Sequence, residues 1–535
     1  MSQSEKKEPR KQFFLQGAAI LAIGVLLSKV IGALFKIPLT RMITTEGAGH
    51  FNVAYNIYIV LLNVSSTGLP IAVSRLISEA AALGQRRQVQ RIHQISLRLF
   101  WCIGLISGGA MYLFAPQVAG WMRDPDAQYA IATLAPAVLF VCIGSAFRGY
   151  FQGQQYMTPT AVAQVLEAAC KLLIGLLAAQ LILNAGLGYP QAAGGAILGV
   201  SIGAGLSCVY FVWQYRRRRV CLTAEEAAQP VPSAWETAKK ILKLAVPITI
   251  GATGLQIFNT LGSKIILGRL QDAIGLTSTA ASSLYGVYSM AQTLYLLPSA
   301  FVQPLTVGII PTVTAAWATG NREEGRRTEE SAIRMAGLIA MPCGLALSVL
   351  ASPIQKFLYG YDAATLEIAG PILMLLGVAS ILYCLILVTN AILQAHGKTV
   401  IPMIATLAGG LVSVTANYLL VGNAQIHIYG AAVATLSYCV VAVLVNILAI
   451  RKLVNPRPRF LAGLWKPALA AAFMAAVAFG VYQLLHNLIL TVAVAVVVYA
   501  VLVVALKIVT WYDCQLLPKG ELIAKFLRIR PEKDA

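Results

Sequence analysis

The chain has 535 residues, of which 58% are hydrophobic and only 12% charged, and its mean hydropathy is +0.73. A water-soluble protein carries roughly 25% charged residues, so a soluble enzyme is excluded. Lys and Arg number 41 against 21 Asp and Glu, a net of +20, but the basic residues sit between long apolar runs, which assigns them to membrane topology rather than to nucleic acid.

A membrane-crossing helix needs about 20 mostly apolar residues. Fourteen stretches qualify: 13–39, 47–77, 92–115, 127–150, 158–184, 190–213, 241–268, 281–315, 331–351, 366–394, 399–421, 428–450, 464–485 and 488–511. The first follows a basic arm but is too long for a signal-peptide core and lacks a small-residue cleavage site, so it reads as a retained span. Trp101, Trp121, Trp213, Trp235, Trp317, Trp465 and Trp511 fall at or just outside the span ends, where amphipathic rings seek the interface. Lys6, Lys7, Arg10 and Lys11, then Arg86, Arg87 and Arg91, then Arg216 to Arg219 with Lys239, Lys240 and Lys243, then Arg451, Lys452, Arg457, Arg459 and Lys466 mark one side of the membrane. By the positive-inside rule that side is the cytoplasm, and both termini lie in it. The nine cysteines are scattered singly, with no CxxC motif, metal cluster or disulfide framework.

Landmarks recur along the chain. Pro70 matches Pro311, Pro116 matches Pro353, Pro136 matches Pro371, Gln152-Gly153 matches Gln394-Ala395 and Gly195-Ala196 matches Gly430-Ala431, at offsets of 235 to 242. Six spans return each half to its starting side, so the repeat is parallel, an arrangement common in carriers that bind near the bilayer midplane. The expected organisation is an all-α integral membrane protein: a cytoplasmic arm 1–12, a first lobe 13–213, a cytoplasmic linker 214–240, a second lobe 241–450, a hinge 451–463, two added spans within 464–511 and a cytoplasmic tail 512–535.

Charges inside the spans are costly to insert, about 2.5–3.5 kcal/mol each, and are functional candidates by default. Cations dominate: Lys29, Lys36, Arg41, Arg75, Arg148, Lys171, Lys264 and Arg269. A cavity lined by them suits an anion, and phosphate is a natural partner. Lys29 and Lys36 are seven apart and share a helical face, with Gly32 and Ala33 between them for close backbone approach; snorkelling to the interface is the bland reading of both. Lys264 matches Lys29 in the repeat. Arg75, Arg148 and Arg269 lie near span ends, and Arg75 and Arg148 mark the cytoplasmic entrance. Of the acids only Glu167 lies deep, with Lys171 four residues on in the geometry of a helical ion pair. A structural pair is the favoured reading and a sodium or proton site the alternative. Amides and phenols also recur: Asn52, Tyr55, Asn56, Tyr58 and Asn63 in the second span, Gln256 and Asn259 in the seventh, Tyr285, Tyr288, Gln292 and Tyr295 in the eighth. They suit sugar hydroxyls, but they also hold helices together in bilayers. The candidate substrate set is Lys29, Lys36, Lys264, Arg41 and Arg269 with Asn63, Asn259 and Gln292.

The stretches SKVIGALFKIPLTR (28–41), GLPIAVSRLISE (68–79) and RGYFQGQQYMTPT (148–160) with Gln164 and Glu167, then LQAHGK (393–398) and YGAAVAT (429–435), cover nearly the whole chain. Together they resemble the stage V sporulation protein B and YtgP branch of polysaccharide exporters. The resemblance implies the multidrug/oligosaccharidyl-lipid/polysaccharide (MOP) flippase fold, two six-helix lobes plus two helices, in the plasma membrane of a bacterium. It also implies flipping of an undecaprenyl-pyrophosphate-linked saccharide, above all the peptidoglycan precursor lipid II, as in the related MurJ flippases. Those use basic residues of the first span, matched here by Lys29 and Lys36, and arginines of the second and eighth spans, where this chain offers Asn63 and Gln292. The added helix pair looks like that family's lipid-tail groove. The implied partners are a lipid-linked anionic oligosaccharide, membrane lipids and cell-wall synthesis proteins, with no nucleic acid.

Two other functions fit a polytopic chain. A multidrug cation antiporter of the same fold calls for an acidic cavity, and a membrane-embedded glycosyltransferase or polymerase calls for paired carboxylates beside a long outer loop; the sequence offers neither. No cofactor is expected. No GxxxxGK[ST] motif is present to cradle nucleotide phosphates, so the membrane potential is the expected energy source, with sodium or proton coupling through Glu167 as the alternative.

Overall fold

In a hydrocarbon layer every backbone N–H and C=O must be satisfied within the protein, and a chain this apolar with no strand-like alternation meets that demand by forming helices. The computed structural model describes residues 8–515 except 64–67, 219–222, 224, 225, 227–229 and 319. Lys6, Lys7, Arg219, most of the expected N-terminal arm and the tail from residue 516 lie outside the described residues. No strand occurs among those described.

The first helices are α1 (Glu8–Asn63), α2 (Leu69–Ala82), α3 (Arg86–Leu113), α4 (Ala115–Trp121), α5 (Gln128–Gly153), α6 (Thr158–Asn184) and α7 (Tyr189–Arg218). There follow α8 (Ala234–Asp272), α9 (Ser278–Tyr295), α10 (Leu297–Ala318), α11 (Arg322–Val349), α12 (Ala351–Tyr359), α13 (Ala363–Ala395), α14 (Val400–Val421) and α15 (Tyr429–Leu453). The chain closes with α16 (Phe460–Leu485), α17 (Leu488–Ala505) and the short α18 (Trp511–Gln515). Polar starts are capped. Ser233 and Glu236 form a reciprocal capping box on α8, and Asn321, Asp362 and Asn487 accept from the first-turn amides of α11, α13 and α17.

Eleven of the described helical stretches are long and apolar enough to cross a membrane. One of them, Ile23–Asn63, contains two of the expected spans, because α1 breaks at Thr44 (φ 61°, ψ −174°). That backbone region is nearly exclusive to glycine and costs a threonine about 1–3 kcal/mol. The expected seventh and eighth spans correspond to α8 and to α9 with α10, which part at Leu296.

The repeat survives in the order and detail of the elements. α3 and α11 are each 28 residues long, and each leads into a short helix, α4 or α12, that begins with Ala and carries Pro in its first turn. Pro136 and Pro371 each stand eight residues into their helices, α5 and α13.

By packing, the chain divides into two units, one ending at Ser289 and the other beginning at Met290, inside α9. In the first, α6 and α7 approach so closely that a Cβ on Gly199 would lie 2.5 Å from the backbone nitrogen of Gly175, the small-residue packing by which helices associate where lipid removes the hydrophobic drive. α8 is held to this unit by Arg123–Asp272 (2.9 Å) and by Gln271, which donates to the Arg123 carbonyl at 2.6 Å. In the second unit, Val302, Val313, Ile333, Ala336, Val388 and Ile392 fill a core between α10, α11 and α13. The added helices α16 and α17 pack beside it, Tyr499 of α17 donating to the Leu338 carbonyl at 2.9 Å. α18 is pinned to α11 by the fully buried Asp513, which accepts from Ser331 and from Arg334.

The second half of α1 meets α9 backbone to backbone. A Cβ on Gly49 would run into the Ser282 carbonyl, and one on Gly286 into the Thr45 carbonyl, both far inside contact distance. Gly49→Val or Gly286→Val should therefore destabilise the protein by on the order of 3 kcal/mol, read as a lower melting temperature of the detergent-solubilised chain. Gly109→Val, where a Cβ meets open space, should melt with wild type.

Candidate substrate site

The break at Thr44 sets the site. Lys36 and Asn52 stand eight residues to either side of it, and the bend brings them together: Lys36 Nζ donates to Asn52 Oδ1 at 3.0 Å. Asn52 is held in turn by its own amide, which donates to the Ala48 carbonyl at 2.6 Å. Phe35 and Phe51, one residue before each, meet at 5.8 Å between ring centroids, and Phe51 stacks on Tyr55 at 5.6 Å.

α6 supplies the third side. Lys171 places its ammonium 4.2 Å from the Tyr55 centroid, 4.9 Å from Phe35 and 5.7 Å from Phe51. This three-ring cage draws on both arms of the bent helix, and it stabilises a cation through the negative faces of its rings. Lys171 is close enough to Lys36 for the two charges to repel.

Glu167 is therefore not the partner of Lys171. It pairs across to α5, accepting from the Arg148 guanidinium at 2.6 Å, with Arg148 buried and Glu167 half-buried. The i, i+4 spacing permitted the local pair, but the aromatic cage offers Lys171 a better-satisfied position and Arg148 offers Glu167 a charge-assisted bond. Buried Tyr58 stands beside this pair. The cluster thus gathers three basic side chains, Lys36, Lys171 and Arg148, with Glu167.

Other candidates lie elsewhere. Lys29 is exposed, and Gly32 has open space where a Cβ would be, so it does not provide the expected close helix approach. Arg41, Arg75 and Asn259 are exposed, and Asn63 and Arg269 half-buried. Lys264 lies over the Trp121 ring at 3.9 Å from its centroid. Gln292 belongs to the second unit. The phenol and amide cluster does assemble in part: Asn56 donates to Ser263 Oγ at 2.9 Å and to Tyr285 Oη at 2.8 Å, and those two oxygens are 2.7 Å apart. This buried knot fastens α1 to α8 and α9, which is the helix-binding role of such groups. Sequence reasoning missed the cage, although Phe51 and Tyr55 are four apart on one helix face.

The sequence profile of the polysaccharide biosynthesis protein family matches residues 14–317, more than half of the chain. The chain belongs to that family. A second profile, MatE, matches residues 271–419. Among relatives of this polysaccharide biosynthesis protein, stage V sporulation protein B of Bacillus subtilis (strain 168) is 26% identical over 83% of this chain and 84% of its own length. The lipid II flippase MurJ of the same organism is 26% identical over 82% of each. Among solved structures, lipid II flippase MurJ in an inward closed conformation aligns with TM-score 0.68 at 15% identity, covering 90% of this chain and 98% of that one. An inward-facing multidrug resistance MATE family transporter of the MOP superfamily aligns with TM-score 0.64 at 14% identity, covering 83% and 95%. The fold is the one those MOP superfamily structures share, and the chain is a multi-pass membrane protein.

Breaking a buried ion pair by removing one partner is costly because it strands the other charge. Glu167→Gln and Arg148→Gln should each lower stability by on the order of 3 kcal/mol, and the double change should recover part of the loss. Combining Glu167→Gln with Lys171→Gln should recover none. Thermal melting of the four purified variants measures all of this.

Proposed function

We propose that the protein is a flippase that moves an undecaprenyl-pyrophosphate-linked saccharide, above all lipid II, from the inner to the outer leaflet by alternating access, with both termini in the cytoplasm and the two six-span lobes as its repeated units. The observation that carries the reading is the cationic cluster on the bent first helix. Lys36 and Lys171 sit together against Asn52 and Tyr55, and Glu167 is engaged by Arg148. Clustered ammonium groups suit a pyrophosphate, whose oxygens take charge-assisted hydrogen bonds from them. Amide and phenol groups beside them suit sugar hydroxyls. The relatives named for lipid II flipping and for sporulation support the same class of cargo.

A multidrug cation antiporter on this fold is disfavoured by the same geometry. An organic cation approaching the cluster meets Lys36, Lys171 and Arg148, with Glu167 neutralised.

The membrane potential gives the direction. An inside-negative potential is worth about 2.3 kcal/mol per elementary charge per 100 mV. Loaded with an anion, the cluster is nearly neutral; emptied, its lysines are drawn inward, which returns the carrier for the next cycle. In proteoliposomes carrying fluorescent lipid II, a membrane-impermeant reagent reports the flipped fraction. Lys36→Ala and Lys171→Ala should each slow flipping at least tenfold, the loss of a charge-assisted contact worth about 1.5–3 kcal/mol. Lys29→Ala should act in the same direction and Lys264→Ala less strongly. Flipping at the wild-type rate in Lys36→Ala would remove the cluster from the mechanism. Clamping the potential at zero should stop net flipping while ATP remains.

A further inference from the structure

A second charged arrangement lies on the other side of the Thr44 break from Lys36, and the substrate reading does not use it. His50, in the second half of α1, is fully buried, as is Asp124 in the connection between α4 and α5. His50 Nδ1 lies 2.7 Å and 2.9 Å from the two oxygens of Asp124. The opposite ring nitrogen, Nε2, is buried without a hydrogen-bond partner, and Glu46 Oε1 stands 3.9 Å from it, one helical turn back. Glu46 is partly open to solvent, with 28% of its side chain exposed. The imidazole thus bridges a sealed carboxylate and a wet one.

Carboxylates surround the ring. Asp124 and Asp126 of the α4–α5 connection and Glu46 on α1 all act on His50. From α9, the Tyr285 phenol lies within electrostatic reach of Asp124. Arg123, next to Asp124 in the chain, is paired with Asp272 of α8. Among the described residues no group of three or more His, Cys, Asp and Glu is arranged to hold a metal ion.

We propose that His50, with Asp124 and Glu46, is a proton-binding site that sets the bend at Thr44. With Nδ1–H donating to Asp124, one proton taken up from water through Glu46 adds to Nε2. The ring then carries one positive charge, Asp124 is neutralised as an ion pair, and Glu46 is drawn to the ring. When that proton leaves by the same route, the Asp124 charge stays buried with only a neutral hydrogen bond to satisfy it, and the hold on Glu46 is lost. Glu46 is two residues past the break, and Thr45 between them is tied to Ser283 at 2.6 Å. Proton occupancy therefore acts on the strained residue that also positions Lys36 against Asn52. The linkage to cargo rests on the flippase reading; the proton site does not.

The test uses the full-length chain, labelled with [15N]histidine and [15N]glycine, in lipid nanodiscs without substrate. Each of the five histidines is assigned by its loss in a His→Gln variant. Between pH 5 and 9, the range around the ordinary imidazole titration, the His50 signal should pass from imidazolium to imidazole with one-proton steepness. The Gly47 and Gly49 amide signals should move with the same midpoint. Asp124→Asn and Glu46→Gln should each shift that midpoint to lower pH, since each removes a negative charge that favours the imidazolium. Glu46→Gln keeps the buried pair intact, so it remains informative should Asp124→Asn or His50→Gln fold poorly. A His50 signal that stays in one form throughout, or glycine signals that ignore the titration, would overturn the proposal. Lipid II flipping at clamped zero pH gradient then separates the two readings. A pH-dependent rate that becomes flat in His50→Gln supports the link to cargo. A titrating His50 in a chain that flips no lipid II leaves the proton site standing and rejects the cargo.

Discussion

A helix of 56 residues is far longer than a bilayer is thick, so α1 has to turn, and the turn at Thr44 governs what surrounds it. Residues on either side of the break become neighbours. Lys36 finds Asn52, Phe35 finds Phe51, and the two arms together make an aromatic cage that neither could form alone. The strained threonine is held by its surroundings: Thr45 bonds Ser283, and glycines at 49 and 286 let α1 and α9 touch along their backbones. A strained backbone persists only where neighbouring contacts over-determine it, and here the Thr45–Ser283 bond joins residues 238 apart in the chain.

Like charges in a low-dielectric setting have to be separated, screened or paired. The first unit screens two of its cations and pairs the third. Lys36 is screened by an amide, Lys171 by the faces of three rings, and Arg148 is paired with Glu167. Amides and aromatic rings stabilise a cation without cancelling its charge.

Much of the architecture was legible because it rests on local rules. Apolar length located the spans, and proline landmarks located the repeat, since Pro136 and Pro371 report their own place in a helix whatever surrounds them. The site was legible only by residue type. Lys36, Lys171, Arg148 and Glu167 all stood out as charges in apolar segments, but spacing on a single helix assigned Glu167 to Lys171, whereas the pair forms between helices, 19 residues apart. Close approach was wrongly expected at Gly32 and occurs instead at Gly49, which nothing in its local sequence distinguishes. His50 and Asp124 are 74 residues apart, one a lone histidine in an apolar span and the other an aspartate in a short connection. No periodicity joins them; only the packing of the α4–α5 connection against α1 does.

The two charged groupings on α1 are of opposite sign and lie on opposite sides of the same break. Before it stands Lys36, beside Lys171 of α6; after it, carboxylates surround a single imidazole. Filling either one lowers the electrostatic cost of the arm that carries it, so each ligand stabilises the geometry that its own arm needs. Because one backbone residue connects the arms, the two ligands are coupled whenever their preferred bends differ, and by linkage the coupling is reciprocal.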